Sequence, residues 1–280
     1  MSRLFISFSG GRTSAYMTWR LLQERQYDEI AVVFANSGQE HEKTLEFVNS
    51  CDMHMGFNTI WLEALVNPIH KKGTETIVTN FSQAARKGEP FEEMIKKYGI
   101  PNPSYRHCTR ELKMSPMHWY VRNVLGWEKG SYDTAIGIRA DEFDRMRSDA
   151  EKEKLVYPLV KWNIKKDYIK YFWRQQHFDL DLPEHLGNCV TCWKKSDRKL
   201  LTIAKQEPHR FDFFYTMENR YAFAGAGNES RVFFRRNRNV AELLKESTRF
   251  TDFFVDGMHE YQPELDLGDG CSESCEIYGE

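Results

Sequence analysis

Apolar residues enter this chain in short blocks, and the spacing of the blocks predicts its elements. Leu4-Phe5-Ile6-Ser7-Phe8 is a compact apolar run that stops at Ser9-Gly10-Gly11, the pattern of a buried strand ending in a tight turn. From Thr13 onward, Ala15, Tyr16, Trp19, Leu21 and Leu22 recur at roughly helical spacing, so a helix starts there. Ile30 to Ala35 is a second β-rich run, closed by the turn Asn36-Ser37-Gly38. Glu42 to Cys51, with Leu45, Phe47 and Val48 apolar, predicts a second helix, and Asn58 to Leu62 a third strand. Strand, helix, strand, helix, strand with short connections predicts an α/β fold built on a doubly wound, mostly parallel sheet.

The pattern then loosens. Residues 66–105 carry Pro68, Pro101 and Pro103 among polar patches and are expected as helix and loop over the sheet edge. Thr134 to Ile138 predicts another buried strand, and Lys165 to His177 a helix with Ile169, Phe172 and Trp173 on its apolar side. Beyond about Pro183 no strand-like runs remain. A division follows into an α/β domain, residues 1–182, and a helical, irregular, cysteine-containing C-terminal region, residues 183–280, packed on it.

Composition narrows the class. With 41% hydrophobic residues the chain can build a sizeable core, and its net charge of −2 offers no global basic field to nucleic acid. No run approaches the about 20 apolar residues of a membrane span. The N-terminus turns polar too early for a signal-peptide core, so a soluble, cytoplasmic-type protein is expected. Six cysteines are too few for a disulfide scaffold, and their spacing suggests metal or redox chemistry.

Ser9-Gly10-Gly11-Arg12-Thr13-Ser14 lies between the first strand and the first helix, where a helix N-terminus offers N–H groups to an anion. Two glycines let the backbone approach a phosphate, Ser9 and Ser14 add hydroxyls, and Arg12 adds charge. No Gly-Lys-Ser/Thr ending follows, so this is not a Walker loop. Cys189-Val190-Thr191-Cys192 is a Cys-x-x-Cys pair able to grip a metal or cluster edge, or to cycle as a dithiol. Arg231, Arg235, Arg236 and Arg238, interleaved with Phe233 and Phe234, suit either a nucleic-acid backbone or a solvated face with aromatic anchors.

The serine-glycine loop resembles the PP-loop, Ser-Gly-Gly-x-x-Ser, of the adenine nucleotide alpha-hydrolase superfamily, and the chain looks most like the phosphoadenosine phosphosulfate (PAPS) reductase family within it. Phe34 to Thr44 is similar to that family's second-strand motif, and Arg106 to Pro116 resembles its cysteine and Lys-x-x-Pro segment. Gly137 to Arg145 resembles its Gly-x-Arg-x-x-Glu segment, and Tyr157 to Trp162 its later Pro-Leu and Trp segment. These matches run in order over residues 7–162.

The resemblance implies that Ser9, Gly10, Gly11, Arg12, Thr13 and Ser14 cradle phosphates. Asn36, Ser37 and Gly38 would lie near the adenosine, and Lys113, Arg139 and Arg145 would meet the remaining phosphate or sulfate charge. The iron–sulfur branch of the family pairs a Cys-Cys with a distant Cys-x-x-Cys, which implies a 4Fe–4S cluster on Cys108, Cys189, Cys192 and Cys271. Here His107 replaces the first cysteine of that pair, so Cys275 and His107 are alternatives for the fourth ligand. Zinc on the same ligands is the rival metal, and unmetallated buried thiols the plain alternative. Cys51 reads as core.

Two mechanisms use such a scaffold. In one, a thiolate attacks the sulfur of PAPS or of adenosine phosphosulfate (APS), and a thioredoxin-type donor releases sulfite. The family's C-terminal Glu-Cys-Gly-x-His is missing here, which leaves Cys275 as the nucleophile by position, with Lys113 and Arg139 in the catalytic set. In the other, ATP with magnesium adenylates a carbonyl oxygen of a tRNA or DNA acceptor, releasing pyrophosphate, and sulfur then displaces the adenylate. A nucleotide-binding redox sensor without turnover is a third reading.

Overall fold

The computed structural model describes residues 1–69, 71–225 and 229–256. Strand β1 (Arg3–Ser7), helix α1 (Arg12–Glu24), β2 (Glu29–Asn36), α2 (Glu42–Met55) and β3 (Ile60–Val66) follow one another as the apolar blocks predict. The expected helix-and-loop stretch also holds a strand. It contains β4 (Thr74–Thr79), antiparallel to β3, before α3 (Glu89–Tyr98). A short helix α4 (His107–Thr109), a π-helical turn over Arg110–Met114 and helix α5 (Ser115–Asn123) come next. Then follow β5 (Asp133–Ala135), β6 (Leu155–Val156), α6 (Pro158–Lys161) and α7 (Lys166–Arg174). The C-terminal region holds α8 (Asp197–Gln206), α9 (Asp212–Tyr221) and α10 (Val240–Ser247).

The strands form one six-stranded sheet in the order β4-β3-β2-β1-β5-β6, parallel except for β4. Strand β1 is central and covered on both faces, so its residues read as a continuous apolar run rather than an alternation. Leu4 and Ile6 point into the larger core, together with Val32 and Phe34, under α1, α2 and the C-terminal helices. Phe5, Ala31, Val33 and Leu62 point the other way, against Met117, Val121 and Trp127 of α5 and the turn after it. Leu186, Trp193, Leu200, Phe214, Phe233 and Leu243 join the same larger core, so described residues beyond 183 share its apolar burial. Among the described residues no helix is long and apolar enough to cross a membrane.

Candidate functional site

The site begins where β1 ends. Phe8 N donates to Val33 O at 2.9 Å, the last pairing before the chain leaves the sheet. Gly10 turns it with φ of +78°, and a Cβ there would lie 2.8 Å from Thr44 Cγ2. Only glycine fits that close, left-handed turn. Gly11 then stands at the N-cap of α1, with no side chain capping the helix and no acidic residue in its first turn. The amide groups and positive dipole end of a 13-residue helix therefore face the cleft. Ser9 and Ser14 hold the loop closed, with 2.9 Å between their hydroxyl oxygens, while Ser14 Oγ donates to Gly11 O at 3.1 Å.

The sheet order explains why this end of β1 is a binding crevice. The chain leaves β1 toward β2 on one side, whereas β5 lies on its other side and leads to β6, so the connections diverge between β1 and β5. Ligands of open α/β sheets bind at such switch points. Gly137, just past β5, packs on Ser14, where a Cβ would meet its Cα at an ordinary contact distance of 3.4 Å. Arg139 follows, only 5% exposed, with Nη1 donating to Thr13 Oγ1 at 3.3 Å. Its guanidinium also meets Asp141 at 3.1 Å and Glu142 at 3.4 Å, and Arg145 Nη1 reaches Glu142 at 2.8 Å. Arg139 thus stands beside the loop, braced by carboxylates, while Arg145 is held to it through Glu142.

Arg12 behaves differently from its neighbours in the loop. Its guanidinium forks onto Asp179, with Nε to Oδ1 at 2.7 Å and Nη2 to Oδ2 at 3.0 Å, and also donates to Leu180 O. Trp173 Nε1 donates to Arg12 O at 2.9 Å. The side chain fastens the loop to the 179–182 segment, while its backbone stays in the cradle.

That segment and α7 form the far wall of the cleft. Lys166, Ile169, Lys170, Leu180, Glu184 and Asn188 line it opposite Ser9 to Thr13. Lys166 and Lys170 hold Glu184 at 2.9 and 3.0 Å. Burial pushes the Glu184 carboxyl up, but hydrogen bonds from the two lysines outweigh it and hold it at about 2. Thr44 also lines the cleft, and its buried hydroxyl has no hydrogen-bond partner among the described residues. Thr44 closes the Phe34 to Thr44 motif, but Lys166, Lys170, Glu184 and Asn188 carry no signal in the sequence pattern, since only the fold brings α7 and the segment after it to the loop.

At the end of β2, Asn36 is fully buried. Its Nδ2 donates to Glu63 Oε1 at 2.7 Å and to Ala85 O at 2.8 Å, and its Oδ1 accepts from Gly38 N at 3.0 Å. Ser37 N and Oγ donate to the Glu40 carboxylate at 2.9 and 2.8 Å. The side chains of Asn36 and Ser37 therefore build the turn. Glu40 is its hub: Lys113, on the π-helical turn, lies 3.7 Å away, and the Glu40 backbone bridges to Cys189. Val190 N donates to Gln39 O at 3.1 Å, which draws the Cys-x-x-Cys turn to the mouth of the nucleotide crevice.

Three predicted thiols interact there. Burial first, then Cys192 and Glu40, push the Cys189 thiol well above its ordinary range; Lys113 opposes the shift and Cys108 adds to it. His107 commits its Nε2 to Gly99 O at 2.9 Å, and burial lowers its pKa. Among the described residues no group of three or more His, Cys, Asp or Glu side chains is arranged to hold a metal ion. Cys271 and Cys275 lie outside the described residues. Cys51 is fully buried in the core, where desolvation raises its pKa.

The Arg-rich segment is neither an open basic face nor a solvated one. Arg231 sits 3.7 Å over the Tyr105 ring and donates to Tyr98 O at 3.0 Å. Arg235 and Arg238 meet Asp197 at 3.4 and 2.8 Å, and Arg238 also meets Glu246 at 2.6 Å. Phe233 stacks on Phe214 with 4.0 Å between ring centroids, deep in the core. Arg235 and Arg238 tie the C-terminal helices together and Arg231 ties the segment to the end of α3; of the four, Arg236 is the exposed one.

A parallel sheet whose first βα turn is a glycine–serine anion cradle at the switch point defines a nucleotide-binding protein of the PP-loop class. The chain belongs to the phosphoadenosine phosphosulfate reductase domain family, which it matches over residues 3–177. It is 33% identical over 283 residues to an uncharacterized nin region protein of Escherichia phage lambda, covering 98% of this chain and 94% of that protein. An uncharacterized protein of Methanocaldococcus jannaschii is 25% identical over 228 residues, 78% of this chain but 48% of that longer protein. A second protein of that archaeon is 30% identical over 139 residues, half of this chain and 23% of its own length. Membership supports a nucleotide-binding, sulfur-related enzyme of the PP-loop kind.

Proposed function

We propose that this protein binds a phosphosulfate nucleotide, PAPS or APS, and reduces it to sulfite with thiols. The observation that carries the reading is the junction at Glu40. One face of that turn abuts Lys113 and Cys189, and the neighbouring Asn188 lines the phosphate cleft. The nucleotide phosphates would lie on the amide groups of Gly11 to Ser14, with Arg139, Arg145, Lys166 and Lys170 around them. Lys113 would meet the sulfate charge. A cysteine thiolate attacks the sulfur, the bond from sulfur to the phosphate oxygen breaks, and the nucleotide leaves with that electron pair. A dithiol donor of the thioredoxin type then displaces sulfite, leaving a disulfide on the donor. The nucleophile in this reading is Cys275.

Cys108, Cys189 and Cys192, with Cys271, would hold a 4Fe–4S cluster, zinc being the rival. Their chemistry fits such a group, because three neighbouring, half-buried thiols whose ionised forms repel would be relieved by a bound cation. Bound there, an iron–sulfur cluster would supply redox capacity beside the sulfate end of the site.

The intact Ser9 to Ser14 loop favours a second reading, ATP cleavage with magnesium followed by sulfur transfer to tRNA or DNA. One experiment separates the two. Anaerobically purified protein is offered PAPS with reduced thioredoxin in one tube, and magnesium ATP with tRNA or DNA in the other. Sulfite in the first, lost in Cys275→Ser, is the expected result. Pyrophosphate and AMP in the second alone would replace it with the transferase reading, and silence in both with a nucleotide-binding redox sensor. Iron and acid-labile sulfide are expected in the same preparation; zinc without iron overturns the cluster.

A further inference from the structure

A second cavity, of about 230 Å³, opens on the opposite end of the sheet from the phosphate cleft. It lies where β5 and β6 begin, between those strands and α5. His118 and Arg122 reach it from α5, Lys129 and Tyr132 from the approach to β5, and Lys152, Glu153 and Lys154 from the approach to β6. Strand alternation explains the lining. Tyr132 and Thr134 face α5, whereas Asp133 between them turns to the other side, where Tyr27 Oη donates to it at 3.1 Å.

The charge of this cavity is one-sided. Four cationic side chains (Arg122, Lys129, Lys152 and Lys154) line it against one carboxylate, Glu153. That carboxylate is spent on Lys129, at 3.1 Å. Arg122, Lys152 and Lys154 make no ion pair among the described residues. The local field acts on the groups beside it: burial lowers the His118 pKa, and Arg122 and Lys129 lower it further. Arg122 also stabilises the ionised form of Tyr132, against the rise that burial causes there.

A concave site with a surplus of cations, a guanidinium fork and a phenol hydroxyl is complementary to a compact tetrahedral oxyanion. A chain of net charge −2 has no general reason to gather such a surplus in one hollow. We propose that this cavity is a second anion site, distinct from the Ser9 to Ser14 loop, for a small phosphorylated ligand. The four cations are exposed around one hollow, and that concave arrangement favours a small ligand over a nucleic-acid backbone. The proposal does not depend on the reaction at the loop.

The test is a titration of the intact protein with inorganic pyrophosphate in magnesium-free buffer, read by the NMR resonances of histidine side chains labelled with carbon-13. His118 reports this cavity alone, so binding at the loop does not confuse the result. A saturable His118 shift with a midpoint below about 1 mM is expected. The double variant Arg122→Glu, Lys152→Glu should weaken it by at least about tenfold while leaving ATP or PAPS binding at the loop unchanged. Retained nucleotide binding shows that the variant is folded. An unmoved His118 resonance, or equal affinity in the double variant, overturns the proposal. So does a single-stranded oligonucleotide that shifts His118 where pyrophosphate does not.

Discussion

Glu184 holds two lysines of the cleft wall, so its removal is expected to move stability and ligand binding in opposite directions. Its ordinary pKa is 4.5 and its folded value is about 2, so its contribution is present above pH 4.5 and is lost as pH falls toward 2. Allowing for solvent screening, that contribution is about 2 kcal/mol. Glu184→Gln is expected to lower stability at neutral pH by that amount and to flatten the acid limb, measured as thermal midpoint against pH. The same change releases Lys166 and Lys170 toward the cleft. Nucleotide affinity should therefore rise by about tenfold, the worth of one charge-assisted hydrogen bond. Unchanged affinity in a titration of the folded variant would show that these lysines do not reach the ligand.

The turn from β1 into α1 is the element on which the site depends, and two glycines near it separate strain from space. At Gly10 a side chain meets both a φ of +78° and a methyl group 2.8 Å away. Gly10→Ala should cost about 1–3 kcal/mol and weaken nucleotide binding more than tenfold, measured by chemical denaturation and titration. At Gly137 a Cβ meets Ser14 at 3.4 Å, an ordinary contact, so Gly137→Ala should stay within about 1 kcal/mol of the parent. The π-helical turn between α4 and α5 is a second device, since such irregular turns re-aim side chains, here Lys113 toward Glu40.

Across the whole molecule, the C-terminal helices are pinned by a half-buried carboxyl. Glu218 on α9 accepts from Phe233 N at 3.0 Å and from Val240 N, at the start of α10, at 2.8 Å. Burial raises its pKa to about 7, against the lowering by those two amides. The folded state holds the proton more tightly than the unfolded chain. Stability from this group is complete below pH 4.5 and is lost as pH rises through 7, an effect of about 3 kcal/mol. Glu184 and Glu218 therefore pull in opposite directions, and their combined contribution peaks near pH 4.5 to 5. Glu218→Gln is expected to remove the decline between pH 4.5 and 7 in the urea midpoint. A decline that persists in the variant assigns it to other groups.

The chain by itself determined β1, α1, β2, α2, β3 and the loop, because apolar period and turn chemistry are local properties that short windows report. It also determined the family, through ordered motifs around Ser9, Asn36, Lys113, Arg139 and Pro158. Strand β4 escaped because an edge strand such as Thr74–Thr79 is paired by its neighbour rather than marked by its own pattern. Strand β6 escaped because it has two residues. Tertiary structure alone decided that Arg12 braces Asp179, that Asn36 is spent inside its turn, and that Arg231, Arg235 and Arg238 are internal ties. A charge in a sequence does not say which carboxylate will find it. Only the fold brings Cys189 to Glu40 and Lys166 to the loop, because those meetings depend on strand order and crossover direction, which no local window contains.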